Sequence, residues 1–282
     1  MESFTSHPLY RKHNLDSAMS SLWDFYRKRF LVLFTASFVM SLLMQYFSSS
    51  LDLSSLTSMT DPYEMLAEIK KFIWPMVIIS VANLLFTTIL QYYIIYSPVD
   101  DSVNIFTSLY KSLRYFIPYL ILIVLFAFFG SFALFMGLLA LIIGIFFVAI
   151  YLMTLYMFFL PLLMAEGNNI GHTITRSFRL THKGFWTNIG WVAVFVLILI
   201  VLSLILSMII MIPFTGSIFK GLTNPEEAVS AVNYIKNPVY IILGSLANAI
   251  YFPLLPVFSA ILYFNGRAKE EEVKIEGGIS GE

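Results

Sequence analysis

The chain contains no cysteine among its 282 residues. This absence excludes disulfide bonds, thiolate metal sites and cysteine nucleophiles. Charged residues are also scarce, since they make up 12% of the chain, about half the share found in a soluble domain. Hydrophobic residues reach 59% and include 27 Phe, 16 Tyr and 4 Trp. This composition is typical of a protein that is embedded in a bilayer.

One long uncharged segment indicates how the chain meets the membrane. Residues 115–165 hold no Asp, Glu, Lys, Arg or His in 51 positions. As one helix they would be about 75 Å long, whereas the hydrocarbon core of a bilayer is about 30 Å thick. We therefore predict two membrane-crossing helices joined by an uncharged turn. We place the turn at Met136-Gly137, because a turn at Gly130-Ser131 would leave the first helix too short to span.

The remaining uncharged blocks bring the total to six crossings. The predicted helices cover residues 30–47, 72–96, 116–136, 138–164, 186–212 and 238–264. We therefore predict an all-α integral membrane protein whose six transmembrane helices form three hairpins, with interfacial helices on the cytoplasmic side. Residues 15–264 would form this domain. A disordered N-terminal tail (1–14) and a disordered cytoplasmic tail (265–282) would flank it.

The distribution of Lys and Arg predicts the orientation. Thirteen of these residues fall on one side of the six predicted crossings and four on the other. Loops rich in Lys and Arg stay in the cytoplasm. An even number of crossings then places both termini in the cytoplasm. We expect a multi-pass protein of the bacterial cytoplasmic (inner) membrane.

Two segments that precede crossings share a pattern. Residues 104–113 and 169–178 both begin with Asn-Ile and carry a basic residue followed by Ser at the same spacing, and residues 16–29 resemble them more faintly. We interpret each as a short helix at the membrane surface. Two explanations stay open: any amphipathic lead-in helix has this pattern, or the three hairpins descend from an ancestral triplication.

The outer loops predict two further short helices. Asp61-Pro62 and Asn224-Pro225 each combine an N-cap residue, a proline at the first helical position and a nearby glutamate. We expect these two helices on the same side of the membrane, opposite the helix that carries Arg176.

The segment 167–186 has one apolar and one basic face, which is typical of an interfacial helix. The basic side chains either hold the loop in the cytoplasm and reach out to lipid phosphates, or form a specific site for an anionic headgroup or an acidic partner. The candidate contact residues are Arg176, Arg179, Lys183 and His172.

Two stretches carry a family resemblance. They are residues 176–186, which read RSFRLTHKGFW, and residues 255–270, which contain Leu255-Pro256, Tyr263 and Arg267. Over about residues 15–272 the chain resembles the membrane domain attached to some bacterial glycerophosphodiester phosphodiesterases, and its stand-alone relatives. Asn265 stands where that group commonly has an acidic residue. In the attached enzymes the chemistry belongs to a separate metal-dependent barrel, so the resemblance implies no activity here.

Catalytic motifs are missing from the sequence. It holds no H-E-x-x-H, no Gly-rich phosphate loop and no G-x-S-x-G. His172 and His182 lie ten residues apart with no carboxylate at a ligand spacing, and we assign His7 and His13 to the disordered tail. We therefore expect no enzyme activity, no cofactor and no metal.

The predicted crossings contain no charge, although ion-coupled carriers usually place a charged group within the bundle. Their polar residues are neutral. Asn83, Thr87 and Gln91 share one helix face, and Asn248 precedes Pro253 and Pro256, which should kink the last helix. Such groups join helices by hydrogen bonds or line a path.

We therefore predict a non-catalytic polytopic protein that acts as a membrane scaffold, a complex subunit or a lipid-contacting protein. The alternative is a transporter or channel for a small molecule or lipid. The expected partners are membrane lipids, anionic ones included, or another membrane or cytoplasmic protein. We expect no nucleic acid.

Overall fold

A computed structural model describes residues 4–51, 61–216, 219 and 236–279. Nine α-helices and two short 3₁₀ helices, Phe4–Ser6 and Ile212–Phe214, lie within these residues. The α-helices are α1 (Leu15–Lys28), α2 (Phe30–Ser49), α3 (Pro62–Tyr96), α4 (Ile105–Leu139), α5 (Leu141–Ala165), α6 (Ile170–Lys183), α7 (Phe185–Met211), α8 (Pro238–Tyr251) and α9 (Leu254–Ile279).

The described residues contain six helical segments that are long and apolar enough to cross a membrane. They are Phe30–Ser49, Tyr63–Tyr96, Ile105–Leu139, Ile143–Ala165, Phe185–Phe214 and Pro238–Glu272. The predicted all-α fold with six spanning helices is therefore confirmed, and the chain is a polytopic helical membrane protein.

The turn in the long uncharged segment lies at Ala140, so the prediction of Met136-Gly137 was wrong by a few residues. The backbone N–H of Ala140 bonds to the carbonyl groups of Met136 and Gly137 and thereby closes α4. Gly137 continues the helix and serves packing instead. A Cβ atom on Gly144 of α5 would lie 2.5 Å from the carbonyl oxygen of Gly137, so the two helices meet backbone to backbone at this point.

Two of the three predicted interfacial helices are separate elements. α1 ends at Lys28, and α6 ends at Lys183. The third is continuous with the crossing that follows, within α4. All three begin alike, because the side chains of Asn14, Asn104 and Asn169 each accept a hydrogen bond from the backbone N–H three residues later, at 2.8, 2.8 and 2.9 Å.

The first predicted outer helix is also continuous with its crossing, in α3. Asp61 caps it, since its side chain accepts a hydrogen bond from the backbone N–H of Tyr63 at 2.9 Å. The second predicted outer helix, at 225–236, lies almost wholly outside the described residues. The expected placement of both helices on one side therefore stays a prediction.

The last crossing is interrupted between Tyr251 and Leu254. Pro253 has no N–H to donate to the preceding turn, and its ring clashes with the carbonyl four residues earlier. This break confirms the predicted kink at Pro253, whereas Pro256 lies within α9. Beyond it, α9 continues to Ile279.

The chain divides into two compact units. The first comprises the described parts of Met1–Phe30, Leu85–Ile198 and Pro253–Glu282, and the second those of Leu31–Leu84 and Leu199–Phe252. In the first unit α9 packs on α1 and α5, and the rings of Phe195 and Phe258 stack at 4.1 Å. In the second unit the side chain of Gln45 fills the space beside Gly244.

The N-terminal segment is ordered, so the predicted disorder of residues 1–14 was wrong for residues 4–14. His7 is 2% exposed. Its Nε2 donates to the carbonyl oxygen of Ile94 at 3.1 Å, and its ring stacks on Phe264 at 4.4 Å. Burial lowers the pKa of His7 to about 4, although the Ile94 hydrogen bond opposes the change, so the ring is neutral at pH 7.

The predicted disorder of residues 265–282 was wrong for residues 265–279, because α9 includes them. Asn265 is 1% exposed, and its Oδ1 accepts a hydrogen bond from the backbone N–H of His13 at 2.9 Å. The two segments that were predicted to be tails therefore pack against each other in the first unit.

Candidate functional site

The predicted basic site lies on α6, an amphipathic helix between the cap Asn169 and Gly184. Its inward face buries Thr173, Ser177 and Leu180. Three of the predicted contact residues, Arg176, Lys183 and His172, lie within 4 Å of the carboxylates of Glu166 or Glu270. The fourth, Arg179, does not.

Arg176 is the centre of the first group. Its Nε lies 2.9 Å from Oε2 of Glu166, and its Nη1 lies 2.8 Å from Oε1 of Glu270. Its Nη2 donates to Glu270 as well. The side chain is 11% exposed, and the Glu270 hydrogen bonds raise the pKa of Arg176 above its usual value. The guanidinium is therefore occupied within the protein, and its predicted role as an exposed anion contact does not fit this geometry.

Glu166 joins three elements. It follows the end of α5, and its side chain is 5% exposed. Besides Arg176, its Oε1 accepts hydrogen bonds from Arg267 Nη1 at 3.1 Å and from the hydroxyl of Tyr263 at 3.3 Å, both on α9. Gly167 comes next with a φ of 109°, a conformation that glycine adopts without strain and that turns the chain toward α6.

The other predicted residues lie at the edge of this charged cluster or outside it. His172 Nε2 is 3.9 Å from Glu166, and Lys183 Nζ is 3.9 Å from Glu270, with both side chains about half exposed. Arg179 is exposed and forms no ion pair with any residue that the structure describes.

The sequence analysis missed Glu166 and Glu270. Glu166 is the first charged residue after the long uncharged segment and stands ten residues before Arg176, so the sequence offered a signal that could have identified it. Glu270 lies 94 residues from Arg176 along the chain. Local spacing gives no sign of that pairing.

An apolar groove of about 400 Å³ lies beside the charged cluster, between α4, α5 and α6. Phe129 and Phe178, on two of its walls, are 67% and 43% exposed, so the groove opens on the outer surface of the helices. The lining residues are all apolar or aromatic: Leu122, Leu125, Phe126, Phe129, Gly130, Ala133, Tyr151, Leu152, Leu155, Phe159, Ile174 and Phe178.

The small residues of α4 make room for this groove. Gly130 is buried, yet a Cβ atom there would meet only the methyl groups of Leu152, at 3.6 and 3.9 Å. Ala133 lies three residues further along the same wall. The groove therefore depends on side-chain size at two positions of a spanning helix.

The predicted intramembrane polar residues lie elsewhere. Thr87 and Gln91 are buried on α3, and the amide nitrogen of Gln91 has no hydrogen-bond partner within the described residues. Asn83 and Asn248 belong to the second compact unit, whereas the groove lies in the first. The Oδ1 of Asn248 accepts a hydrogen bond from the hydroxyl of Tyr251. None of the four lines the groove.

No protein-family model matches the chain, and neither the curated proteins nor the solved structures contain a match. The resemblance to the membrane domain of glycerophosphodiester phosphodiesterases therefore stays a prediction.

Proposed function

We propose that the chain is a non-catalytic membrane protein that binds a membrane lipid, with an acyl chain of that lipid in the groove between α4, α5 and α6. The observation that carries this proposal is the groove itself. Its lining is apolar apart from the hydroxyl of Tyr151, and it opens on the surface of two helices that are long and apolar enough to span the membrane.

The size and chemistry of the groove fit an acyl chain. Its volume lies within the range of about 300–1,000 Å³ that is usual for ligand sites. Most ligand sites place a few polar groups among apolar ones to orient a polar solute. Among the lining residues only the hydroxyl of Tyr151 could do so, which favours a hydrocarbon over a polar solute.

The charged cluster supports a structural role for the titratable groups near the groove. Glu166 and Glu270 are both held in ion pairs with arginines. A general acid or base needs a pKa near the working pH, whereas the pKa of Glu270 lies below its usual value, because burial raises it less than the hydrogen bonds and charge of Arg176 lower it. The cluster therefore attaches α6 to α9, and with α6 the wall of the groove.

The distribution of basic residues supports an orientation in which both termini are cytoplasmic. Such an orientation would place α6 and the charged cluster at the cytoplasmic surface of a bacterial inner membrane. The groove would then open into the inner leaflet.

The test is native mass spectrometry of the purified, delipidated protein titrated with phosphatidylcholine, a zwitterionic lipid. We expect one lipid to bind to the wild type and to bind about tenfold more weakly to Ala133→Phe, because the added ring occupies the groove and displacing it costs at least 1.4 kcal/mol. Leu125→Trp, at the exposed rim of the groove, should also weaken lipid binding.

Ala127→Phe is the matched control, since Ala127 lies on the same helix but is exposed and does not line the groove. It should bind lipid as the wild type does. Equal binding by all four proteins would overturn the proposal.

A further inference from the structure

The basic residues of α6 divide into an inner and an outer group. Arg176 is enclosed by Glu166 and Glu270, while Lys183 lies within 3.9 Å of Glu270. Arg179 differs from both, because it is exposed and has no ion-pair partner in the part of the chain that the structure describes. The protein therefore leaves one arginine of this helix available to an external anion.

Arg179 is adjacent to the groove along α6. It follows Phe178, which lines the groove together with Ile174 one turn earlier. The apolar wall and the exposed guanidinium thus belong to neighbouring positions of one helix.

The rim of the groove near Arg179 is ordered. His182 lies one turn after Phe178, and its Nδ1 donates to the Phe178 carbonyl oxygen at 2.8 Å. The imidazole ring packs on Phe178 and against Tyr151, with ring centroids 6.2 and 5.8 Å apart. Two groove-lining residues are therefore held by the same side chain, beside the exposed arginine.

The carboxylates of the charged cluster are matched by basic side chains. Arg176 and Arg267 bind Glu166, and Arg176 and Lys183 face Glu270. Glu271 is the third carboxylate and lies 3.8 Å from Arg267. The three negative charges thus meet three positive ones, and the charge of Arg179 is not part of this balance.

The groove and the surrounding bilayer are similarly apolar environments for a lipid tail. Burial of the acyl chain in the groove therefore discriminates little between lipid classes. The headgroup has to supply the selectivity. An arginine fork binds phosphate oxygens in pairs. The net charge of the headgroup decides the selectivity, because cations near the membrane surface attract anionic lipids, whereas the choline ammonium of phosphatidylcholine neutralises its phosphate. We propose that Arg179 binds the headgroup phosphate of an anionic phospholipid whose chain occupies the groove, an inference that rests on the proposed function.

To test this, the delipidated protein is mixed with equimolar phosphatidylglycerol and phosphatidylcholine. Native mass spectrometry then measures how much of each lipid is bound. We expect the wild type to prefer phosphatidylglycerol by about fivefold, which corresponds to about 1 kcal/mol. Arg179→Gln should bind both lipids equally. Arg179→Lys should keep most of the preference, because it keeps the charge.

Arg27→Gln is the matched control, since Arg27 is an exposed arginine at the end of another surface helix, α1. It should leave the preference unchanged. An equal preference in Arg179→Gln and wild type, or no preference in the wild type, would overturn the role of Arg179 while lipid binding itself stands. Lipid binding that Ala133→Phe leaves unchanged would instead overturn the groove, and with it both proposals.

Discussion

At the scale of single residues, two arginines of one helix have different roles: Arg176 forms ion pairs within the protein, and Arg179 is exposed. They lie three residues apart on α6, and the sequence assigned both to one basic face. The structure places the first between Glu166 and Glu270, with its side chain 11% exposed, and leaves the second exposed. The partners of Arg176 enclose it, and one of them comes from α9.

Arg176→Gln should destabilise the protein by about 2 kcal/mol, because removing one member of a largely enclosed ion pair leaves the other charge with less compensation. Among the described residues, Glu270 would then keep one ion pair, with the Nζ of Lys183 at 3.9 Å. The free energies of unfolding of the variant and the wild type, measured in mixed micelles, give the difference.

Arg179→Gln is the comparison for this measurement, since it removes the same group from the same helix at an exposed position. It should change the free energy of unfolding by less than about 0.5 kcal/mol. Equal losses in the two variants would contradict the structural role of Arg176.

At the scale of secondary-structure elements, the number of spanning helices followed from the sequence better than the positions of their ends. The uncharged segment predicted two helices because the bilayer limits the length of each one. The turn was misplaced, since Gly137 resembles a helix-ending glycine but faces Gly144 within the hairpin. A glycine required by packing and a glycine required by a turn look the same in a sequence.

Gly144→Ala should destabilise the α4–α5 hairpin by about 1–3 kcal/mol, the usual cost of overpacking. The new Cβ atom would lie 2.5 Å from the carbonyl oxygen of Gly137, and backbone cannot move aside as a side chain does. Thermal unfolding in detergent measures the loss.

Gly190→Ala, on α7, is the control for this substitution. A Cβ atom there meets nothing within 4 Å, and alanine favours a helix over glycine by about 1 kcal/mol. This variant should be as stable as the wild type or more stable. A loss equal to that of Gly144→Ala would contradict the close approach of the two backbones.

At the scale of the whole molecule, the six crossings and the bias of Lys and Arg were visible without coordinates. The order of both terminal segments was not. Polar composition predicted tails, yet His7 and Asn265 are buried where residues 4–14 meet α9. Polar side chains are compatible with burial when partners far along the chain satisfy their hydrogen bonds.

The absence of cysteine permits a direct test of orientation, because a single introduced thiol is the only one present. Asp101→Cys, before α4, and Glu64→Cys, at the start of α3, are both at exposed positions. In intact cells an impermeant maleimide should label the second and spare the first. The reverse pattern would contradict the proposed cytoplasmic location of both termini.

The sequence by itself determined that this is a helical membrane protein with six crossings, because the thickness and polarity of the bilayer limit every helix that spans it. Only the tertiary structure decided which arginine of α6 is neutralised and where an apolar groove opens. Both depend on contacts between residues far apart in the chain, such as Arg176 with Glu270 and α4 with α6. Local periodicity reports which face of a helix is apolar, and long-range packing decides what that face meets.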